Sequence, residues 1–193
     1  MLKEEKKTRK LPDILTVEEQ KDLLAQPNPK APTGLRNLCL MRLMLNAGLR
    51  LSEIINLKPG DLDLANSRLI VKNNNKERVL LLGEEDRDLL NQWMEIRPKG
   101  EYVFSTLKGN MLDSRYIREM VKRLAKKANI KKNIFPHTLR HTFAADLYRK
   151  TRNIRMVQEA LGHADLSTTM IYTYIIDEEL EDAMKFFRQG SAA

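Results

Sequence analysis

A nearly continuous apolar segment, residues 38–45, constrains the fold of this chain most strongly. With its neighbours it is long enough for a buried helix, and Gly48 follows it as a suitable C-terminal stop. Arg50 therefore leaves a core helix at a fixed angle. Glu53, three positions later, lies where its carboxylate can brace the Arg50 guanidinium, although an ordinary pair of surface charges would show the same spacing.

Periodicity and turn residues along the rest of the chain predict a mainly helical domain with one small antiparallel β-sheet. Thr16 and Glu19 form a capping-box pattern that begins the first helix, which ends before the proline-containing loop of residues 27–32. Further helices are expected near residues 34–47, 51–57, 84–96, 113–128, 136–150, 153–161, 167–174 and 177–188. Strands are expected near residues 61–64, 68–72 and 77–82.

The region from His137 to Tyr172 concentrates residue types that are suited to phosphoryl transfer. The planar fork of Arg140 offers paired donors to two phosphate oxygens. His137 lies one turn before it on a helix that Pro136 is suited to open, so the two side chains share one face. A tyrosine hydroxyl has a pKa of about 10, and neighbouring arginine or histidine can activate it as a nucleophile. The region therefore predicts a site that attacks a phosphodiester and forms a phosphotyrosine.

Each of these residues also has an ordinary structural explanation. A single histidine is more often a packed or surface residue, and a tyrosine beside an apolar helix face more often belongs to the core. Their concentration favours a site, because the three histidines of the chain all lie in the same region as Arg140 and Tyr172. These histidines are His137, His141 and His163.

The three histidines also allow the hypothesis of a zinc-dependent hydrolase. His137 and His141 are one helical turn apart, and His163 could complete a three-histidine site. However, Thr138 stands where the metalloprotease motif His-Glu-x-x-His has its glutamate. A zinc site would also leave Arg50 without a role, so no metal and no other cofactor is expected.

The net charge favours a polyanionic partner. Lysine and arginine total 34 against 26 acidic residues, a formal charge of +8 at pH 7, and such a field attracts nucleic acid. No apolar run approaches the ~18 residues of a membrane span, and the charged N-terminus carries no secretory signal. Cys39, the single cysteine, lies in the apolar segment and is assigned to core packing. We therefore expect a cytoplasmic protein without a membrane partner.

Together these segments resemble the tyrosine site-specific recombinases, also called phage integrases, and they are most similar to the Xer-type enzymes. The resemblance implies the catalytic-domain fold of the DNA breaking-rejoining enzymes. The segment Ala-Gly-Leu-Arg-Leu-Ser-Glu places the family's first catalytic arginine on Arg50. The His-x-x-Arg box of the family falls on His137 and Arg140.

The family's remaining catalytic residues fall in the segment Leu-Gly-His-Ala-Asp-Leu-Ser-Thr-Thr-Met-Ile-Tyr. The resemblance assigns the Leu-Gly-His histidine to His163 and the nucleophile, nine positions later, to Tyr172. Tyr174 stands where Xer-type relatives usually carry a histidine. Because residues two positions apart on a helix point in different directions, only one of the two tyrosines is expected to reach the phosphate.

The family's catalytic lysine, on a β-hairpin, has two candidates here. The family often reads Gly-Lys-Gly-Asn-Lys-Glu-Arg, whereas this chain reads Val71-Lys72-Asn73-Asn74-Asn75-Lys76-Glu77-Arg78. Ungapped alignment on Lys-Glu-Arg puts Asn73 at the lysine position, and a one-residue gap in the turn restores Lys72. The asparagines tolerate the positive φ of a turn, which favours the gap. Lys72 is assigned first and Lys76 second, and a solvated hairpin tip would also explain both lysines.

The resemblance implies site-specific DNA recombination, that is integration, excision or resolution. Tyr172 attacks the scissile phosphate and forms a 3′-phosphotyrosyl link, while Arg50 and Arg140 stabilise the charge on the phosphate oxygens. The hairpin lysine protonates the 5′ oxygen, and His137 and His163 donate to the phosphate or assist proton transfer. The implied partners are double-stranded DNA and a tetramer of the same protein on paired DNA sites. The irregular hairpin leaves open a catalytically inactive DNA-binding relative.

The resemblance also sets the expected domain boundaries. Residues 1–12 are a charged leader or linker, residues 13–176 the catalytic domain, residues 177–189 a C-terminal helix and residues 190–193 a disordered tail. Full-length relatives carry a helical core-binding domain before this region, so the chain begins where the interdomain linker is expected. In the family the C-terminal helix docks into a neighbouring protomer, and packing on its own core is the alternative. The apolar stripe of this helix consists of Leu180, Ala183, Met184 and Phe187, next to Phe186.

Overall fold

The computed structural model describes residues 11–73 and 76–190. These residues form eight α-helices and one three-stranded antiparallel sheet, which confirms the predicted fold class. The helices are α1 (Val17–Leu24), α2 (Pro32–Asn46), α3 (Leu51–Asn56), α4 (Glu84–Ile96), α5 (Ser114–Lys127), α6 (Pro136–Thr151), α7 (Ile154–Leu161) and α8 (Ile171–Gly190). The strands are β1 (Leu62–Asp63), β2 (Arg68–Asn73) and β3 (Lys76–Leu81).

Some of the predicted features fall outside the described part of the chain. They are most of the predicted leader, which spans residues 1–12, most of the predicted tail, which spans residues 190–193, and the hairpin turn at residues 74–75. Within the described part, no helix combines the length and apolar character that crossing a membrane requires.

Helix α2 is the predicted core helix. It packs against α4 and α6, and its side chains are buried along most of its length, including Cys39. Gly48 follows it with a φ of 63°. A Cβ at this position would lie 2.3 Å from the Phe143 ring, so both the backbone conformation and the close approach of α6 require glycine.

The buried apolar side chains form two clusters. The larger one surrounds α2 and includes residues from α3, α4, α5 and the sheet. The smaller one joins α6, α7 and α8 and contains Ala144, Ala145, Val157, Leu161, Tyr172, Ile175 and Ile176. The candidate nucleophile is therefore part of a hydrophobic core.

The sheet brings the hairpin residues beside α3 and α7. Strands β1, β2 and β3 are neighbours in that order, and both pairings are antiparallel. Lys72 pairs with Glu77, and Asn73 pairs with Lys76 across the turn. This register agrees with the predicted hairpin and sends Arg78 on β3 toward α7, where its Nε donates to the Ala160 carbonyl at 2.9 Å.

One predicted boundary is wrong. The helices expected at residues 167–174 and 177–188 form a single helix, α8, which is preceded by a 3₁₀ turn at Leu166–Thr168. No break occurs before Asp177, because Ile175 and Ile176 are both buried in the smaller cluster and continue the same helix. The candidate nucleophile and the C-terminal segment therefore belong to one continuous helix.

Candidate active site

The buried carboxylate of Glu53 organises the basic side chains of the site. It accepts hydrogen bonds from Arg50 Nη1 at 2.9 Å and from both terminal nitrogens of Arg78, at 2.9 and 2.8 Å. Arg140 Nη1 lies 3.8 Å from its Oε2. Burial by itself raises the pKa of Glu53, but the hydrogen bonds from Arg78 and the Arg50 backbone outweigh burial and lower it to about 2. The carboxylate is therefore ionised. Its hydrogen bond with Arg50 confirms the predicted contact between these two side chains. We call Glu53, Arg50, Arg78 and Arg140 the arginine cluster.

Arg50 is positioned by the first turn of α3. Its backbone N–H donates to Glu53 Oε2 at 2.7 Å, and its Nη2 reaches the Gly162 carbonyl at 3.4 Å. A quarter of its side-chain surface stays exposed. The guanidinium is thus held by two parts of the chain and still faces the outside of the cluster, where a phosphate can approach.

Arg140 is buried between α6 and two loops. Its Nη1 donates a short hydrogen bond to the Gly48 carbonyl, and its Nη2 donates to the Leu161 carbonyl at 2.7 Å and to His163 at 3.2 Å. Burial and the neighbouring Arg50 lower the pKa of Arg140 to about 10. The side chain therefore keeps its positive charge at neutral pH and cannot rotate away without losing these hydrogen bonds.

The environment of His163 determines its tautomer. The guanidinium of Arg140 has only donors, so His163 Nε2 accepts its hydrogen bond. The ring proton is then on Nδ1, which lies 3.0 Å from Oγ1 of the fully buried Thr169. Burial, followed by the charge of Arg140, lowers the pKa of His163 to about 4. His163 is therefore neutral, with a lone pair directed at the arginine cluster.

His137 lies on the first turn of α6, at the edge of a groove of about 480 Å³ that Arg50 also lines. Arg118 and the ring of Phe135 form other parts of this groove. Burial, followed by the charges of Arg140 and Arg50, lowers the pKa of His137. The structure thus brings His137 and Arg50 to one open surface.

Tyr172 is adjacent to the arginine cluster without being bonded to it. The side chain is 1% exposed, and within the described residues its hydroxyl is hydrogen-bonded to His141 Nδ1, at 2.8 Å, and to neither Arg50 nor Arg140. Burial raises the pKa of Tyr172 to about 12, although the charges of both arginines act in the opposite direction. Tyr174, by contrast, is 59% exposed, in agreement with the predicted difference in direction.

Lys72 also lies outside the arginine cluster. Its Nζ forms an ion pair of 2.8 Å with Asp61, the last residue of the 3₁₀ turn after α3, and its side chain is 58% exposed. The hydrogen bond and the charge of Asp61 raise the pKa of Lys72. The backbone of Lys76 lies at the start of β3, but its side chain is outside the described structure. Lys72 and Lys76 therefore both remain candidates.

Sequence reasoning missed three residues of the site. Arg78 shares Glu53 with Arg50, His141 is bonded to the Tyr172 hydroxyl, and Thr169 accepts from His163 Nδ1. Arg78 and His141 had a signal, since each directly adjoins a motif, Lys-Glu in the hairpin and His-x-x-Arg in α6.

The histidines do not converge as the zinc hypothesis requires. His163 accepts a hydrogen bond from a cation, and His141 is bonded to a phenol. Over residues 11–73 and 76–190, no group of three or more histidine, cysteine, aspartate or glutamate side chains is placed to hold a metal ion.

Comparisons with known proteins identify the family. The sequence model of the phage integrase family matches residues 13–179. The tyrosine recombinase XerD of Listeria innocua is 36% identical over 191 residues, which cover 94% of this chain and 64% of that protein. The tyrosine recombinase XerC of Actinobacillus pleuropneumoniae is 35% identical and is matched over 58% of its length.

Solved structures show the same fold. The crystal structure of XerA recombinase has a TM-score of 0.80 at 32% identity, covering 93% of this chain and 65% of that one. XerH recombinase, bound to a palindromic difH substrate in a post-cleavage complex, has a TM-score of 0.81 at 32% identity, covering 93% of this chain and 54% of that one. The chain therefore spans less than two thirds of these relatives.

Proposed function

Because this chain belongs to the phage integrase family, we propose that it is the catalytic part of a tyrosine recombinase that cleaves and rejoins DNA at specific sites. The observation that carries this proposal is the arginine cluster, in which one buried carboxylate holds Arg50 and Arg140 beside a neutral His163. Charged donors held in place before the reaction stabilise a phosphoryl-transfer transition state without reorganising during it.

The proposed reaction needs no cofactor. The Tyr172 hydroxyl oxygen attacks the scissile phosphorus, the bond to the 5′ oxygen breaks, and a 3′-phosphotyrosyl link forms. Arg50 and Arg140 bind the non-bridging oxygens, together with His137. The phenolic proton passes to solvent water, and His163 assists this transfer. A 5′-hydroxyl of another strand then attacks the phosphotyrosine and reverses these steps, which completes strand exchange.

The leaving 5′ oxygen takes its proton from a hairpin lysine. Lys72 is the first candidate, because its side chain lies on the open face of β2, and Lys76 is the second. Lys72 has to leave Asp61 and Tyr172 has to leave His141 before either reaches a phosphate in the arginine cluster. We propose that both movements take place in the complex with DNA.

Double-stranded DNA and other copies of the chain are the proposed partners, and with DNA as its substrate the enzyme acts in the cytoplasm. The +8 formal charge supports the first partner. Exposed Leu180 and Met184 on α8 support the second. The beginning of α8 packs on its own chain, where Arg149 of α6 is paired with Glu179. The proposed docking into a neighbouring protomer therefore involves the helix beyond Glu179; the side chains of Ala183, Phe186 and Phe187 lie outside the described structure.

Sedimentation on DNA tests the docking. Removal of residues 180–193 keeps the Arg149–Glu179 pair, so we expect a folded protein that binds DNA but forms no tetramer. Arg149→Ala is the matched control, because it loosens the contact of α8 with its own chain and keeps the exposed apolar side chains. An unfolded truncated chain, or unchanged assembly, would favour packing of the whole helix in its own core.

A nicked suicide substrate tests the proposed chemistry. In such a duplex the short strand beyond the cleaved bond diffuses away, so the covalent intermediate accumulates. With a pool of nicked duplexes of random sequence, the wild-type chain should give a protein-DNA band on a denaturing gel. Tyr172→Phe should abolish the band, and Tyr174→Phe should keep it. DNA binding without any band would indicate the inactive relative, and a band that depends on Tyr174 would refute the assigned nucleophile.

A further inference from the structure

His141 is a polar residue of the site that the proposed reaction does not use. It follows Arg140 on α6 and lies one turn after His137, with 6.3 Å between the two imidazole centroids. Its Nδ1 is 2.8 Å from the hydroxyl of Tyr172, and the two rings are 5.8 Å apart. This hydrogen bond joins the middle of α6 to the first turn of α8.

The proton of this hydrogen bond lies on the phenol. Burial, followed by the charges of His137 and Arg140, lowers the pKa of His141 to about 4. Burial raises the pKa of Tyr172 to about 12. Transfer of the proton from tyrosine to this histidine is therefore strongly unfavourable. Among the described residues, Nδ1 is the acceptor that the enclosed phenolic hydrogen can reach. The tautomer that leaves this hydrogen paired therefore has Tyr172 as the donor, and His141 acts as an acceptor and not as the base that activates the nucleophile.

The acceptor matters because the hydroxyl is almost completely enclosed. A buried hydroxyl without a partner is costly, and the residues around Tyr172 in the smaller cluster are apolar, among them Val157, Ile175 and Ile176. Over residues 11–73 and 76–190, His141 supplies the one polar contact of this hydroxyl. A side chain at position 141 that offers no acceptor at the same place would favour release of the hydroxyl.

We propose that His141 is a positioning residue that holds the protonated Tyr172 hydroxyl in a docked position beside the arginine cluster, and that this hydrogen bond breaks before the phosphate is attacked. The inference rests on the proposed role of Tyr172 as nucleophile. It follows that a fraction of the enzyme-DNA complex is docked and unreactive, and that the observed cleavage rate is reduced by that fraction.

Three substitutions of His141 test the proposal. The Oδ1 atom of asparagine can take the place of imidazole Nδ1, whereas glutamine extends to the place of Nε2, and phenylalanine keeps a ring without any acceptor. His141→Phe and His141→Gln should raise the single-turnover rate of covalent-complex formation at saturating nicked DNA by about tenfold. His141→Asn should restore the wild-type rate. A lower rate in the phenylalanine and glutamine variants, equal rates in all four proteins, or a fast asparagine variant would overturn the proposal.

Hydrogen exchange of the DNA-free protein provides a second measurement that needs no activity. We expect the amides of residues 171–176 to exchange about tenfold faster in His141→Gln than in the wild type, with α2 unchanged and with protection restored in His141→Asn. Unchanged exchange in the glutamine variant would overturn the docking even if the phenylalanine variant fails to fold. If the variants show these exchange differences but the wild-type chain never forms a covalent band, the proposed function is refuted. The role of the hydrogen bond in docking Tyr172 would still stand.

Discussion

The arginine cluster is held by more contacts than Tyr172 and Lys72, the proposed nucleophile and proton donor. Arg50 and Arg140 are fixed by Glu53 and by backbone carbonyls, and several contacts would have to break before either could turn away. Tyr172 and Lys72 each have one polar partner on the described residues, His141 and Asp61. In the proposed reaction, the charge-stabilising part of the site would therefore be ready before DNA binds, whereas Tyr172 and Lys72 would have to be released.

The guanidinium groups and the tyrosine are held differently for a physical reason. A guanidinium stabilises charge from a fixed position, so rigidity increases its effect. A nucleophile that is already aligned beside two arginines would also be exposed to other reactions. Separate docking of Tyr172 and Lys72 makes the assembled site depend on the substrate.

The largest expected effect is the loss of cleavage rate when Lys72 is replaced. If this lysine leaves Asp61 to protonate the 5′ oxygen, Lys72→Ala should slow cleavage of an ordinary phosphodiester by about 10² to 10⁴-fold. A substrate with sulfur at the 5′ bridging position needs no proton, so the variant should cleave it at nearly the wild-type rate. Single-turnover cleavage rates of the variant and the wild type on each substrate test these two expectations.

Lys76→Ala is the matched variant for this experiment, since it removes a lysine from the facing strand of the same hairpin. A loss that sulfur rescues in Lys76→Ala and not in Lys72→Ala would assign the proton donor to β3. Normal cleavage of the ordinary substrate by both variants would leave the docked lysine without a catalytic role.

Arg140 is the sharpest test of the fixed region. Arg140→Ala should reduce single-turnover cleavage by about 10² to 10³-fold, because it removes a preorganised donor from the transition state. DNA affinity should change much less, since many basic residues share that contact. Lys150→Ala, an exposed cation on the same helix, should leave cleavage within about twofold of the wild type by the general insensitivity to surface substitutions. Equal losses in both variants would mean that only the net charge matters.

The ionised Glu53 carboxylate should contribute to the free energy of unfolding in a pH-dependent way. The pKa of Glu53 is about 2 in the folded protein and 4.5 ordinarily. Its contribution to the free energy of unfolding is therefore complete above pH 4.5 and is lost as the pH falls toward 2. The size of this contribution is about 3 kcal/mol. Urea unfolding at neutral pH should show Glu53→Gln destabilised by about that amount.

The difference in the free energy of unfolding between the wild type and Glu53→Gln should shrink as the pH falls from 5 to 2. This pH dependence tests whether the carboxylate charge is responsible. A constant difference across that range would show that the carboxylate charge does not hold the three arginines. Asp88→Asn removes an exposed acid from α4 and should follow the wild-type pH dependence.

The smallest effect concerns the docking of Lys72. Asp61→Asn removes the ion pair with a largely exposed lysine, and such pairs contribute little in water. We therefore expect cleavage to become faster by no more than about fivefold. Glu77→Gln, which changes the residue paired with Lys72 across the hairpin, serves as the matched variant. A large decrease in Asp61→Asn alone would show that Asp61 orients Lys72 for the reaction.

The fold and most of the arginine cluster could be predicted from sequence because their signals are local. The apolar run of α2, the capping box at Thr16 and the strand pattern of the hairpin all appear where they were expected. The contact between Arg50 and Glu53 needs only a spacing of three residues on one helix. The predicted helix break before Asp177 was wrong, since α8 continues through the buried Ile175 and Ile176.

The chemical groups of the site, and the helix or strand that carries most of them, follow from the sequence alone. Their partners depend on the folded chain: Arg78 reaches Glu53 from β3, Arg140 reaches the Gly48 carbonyl, and Tyr172 donates to His141. Local spacing fixes which side chains share a face of one helix. Contacts between distant segments depend instead on how α2, α6 and α8 pack, and that packing placed the Tyr172 hydroxyl against the imidazole next to Arg140 rather than against the guanidinium itself.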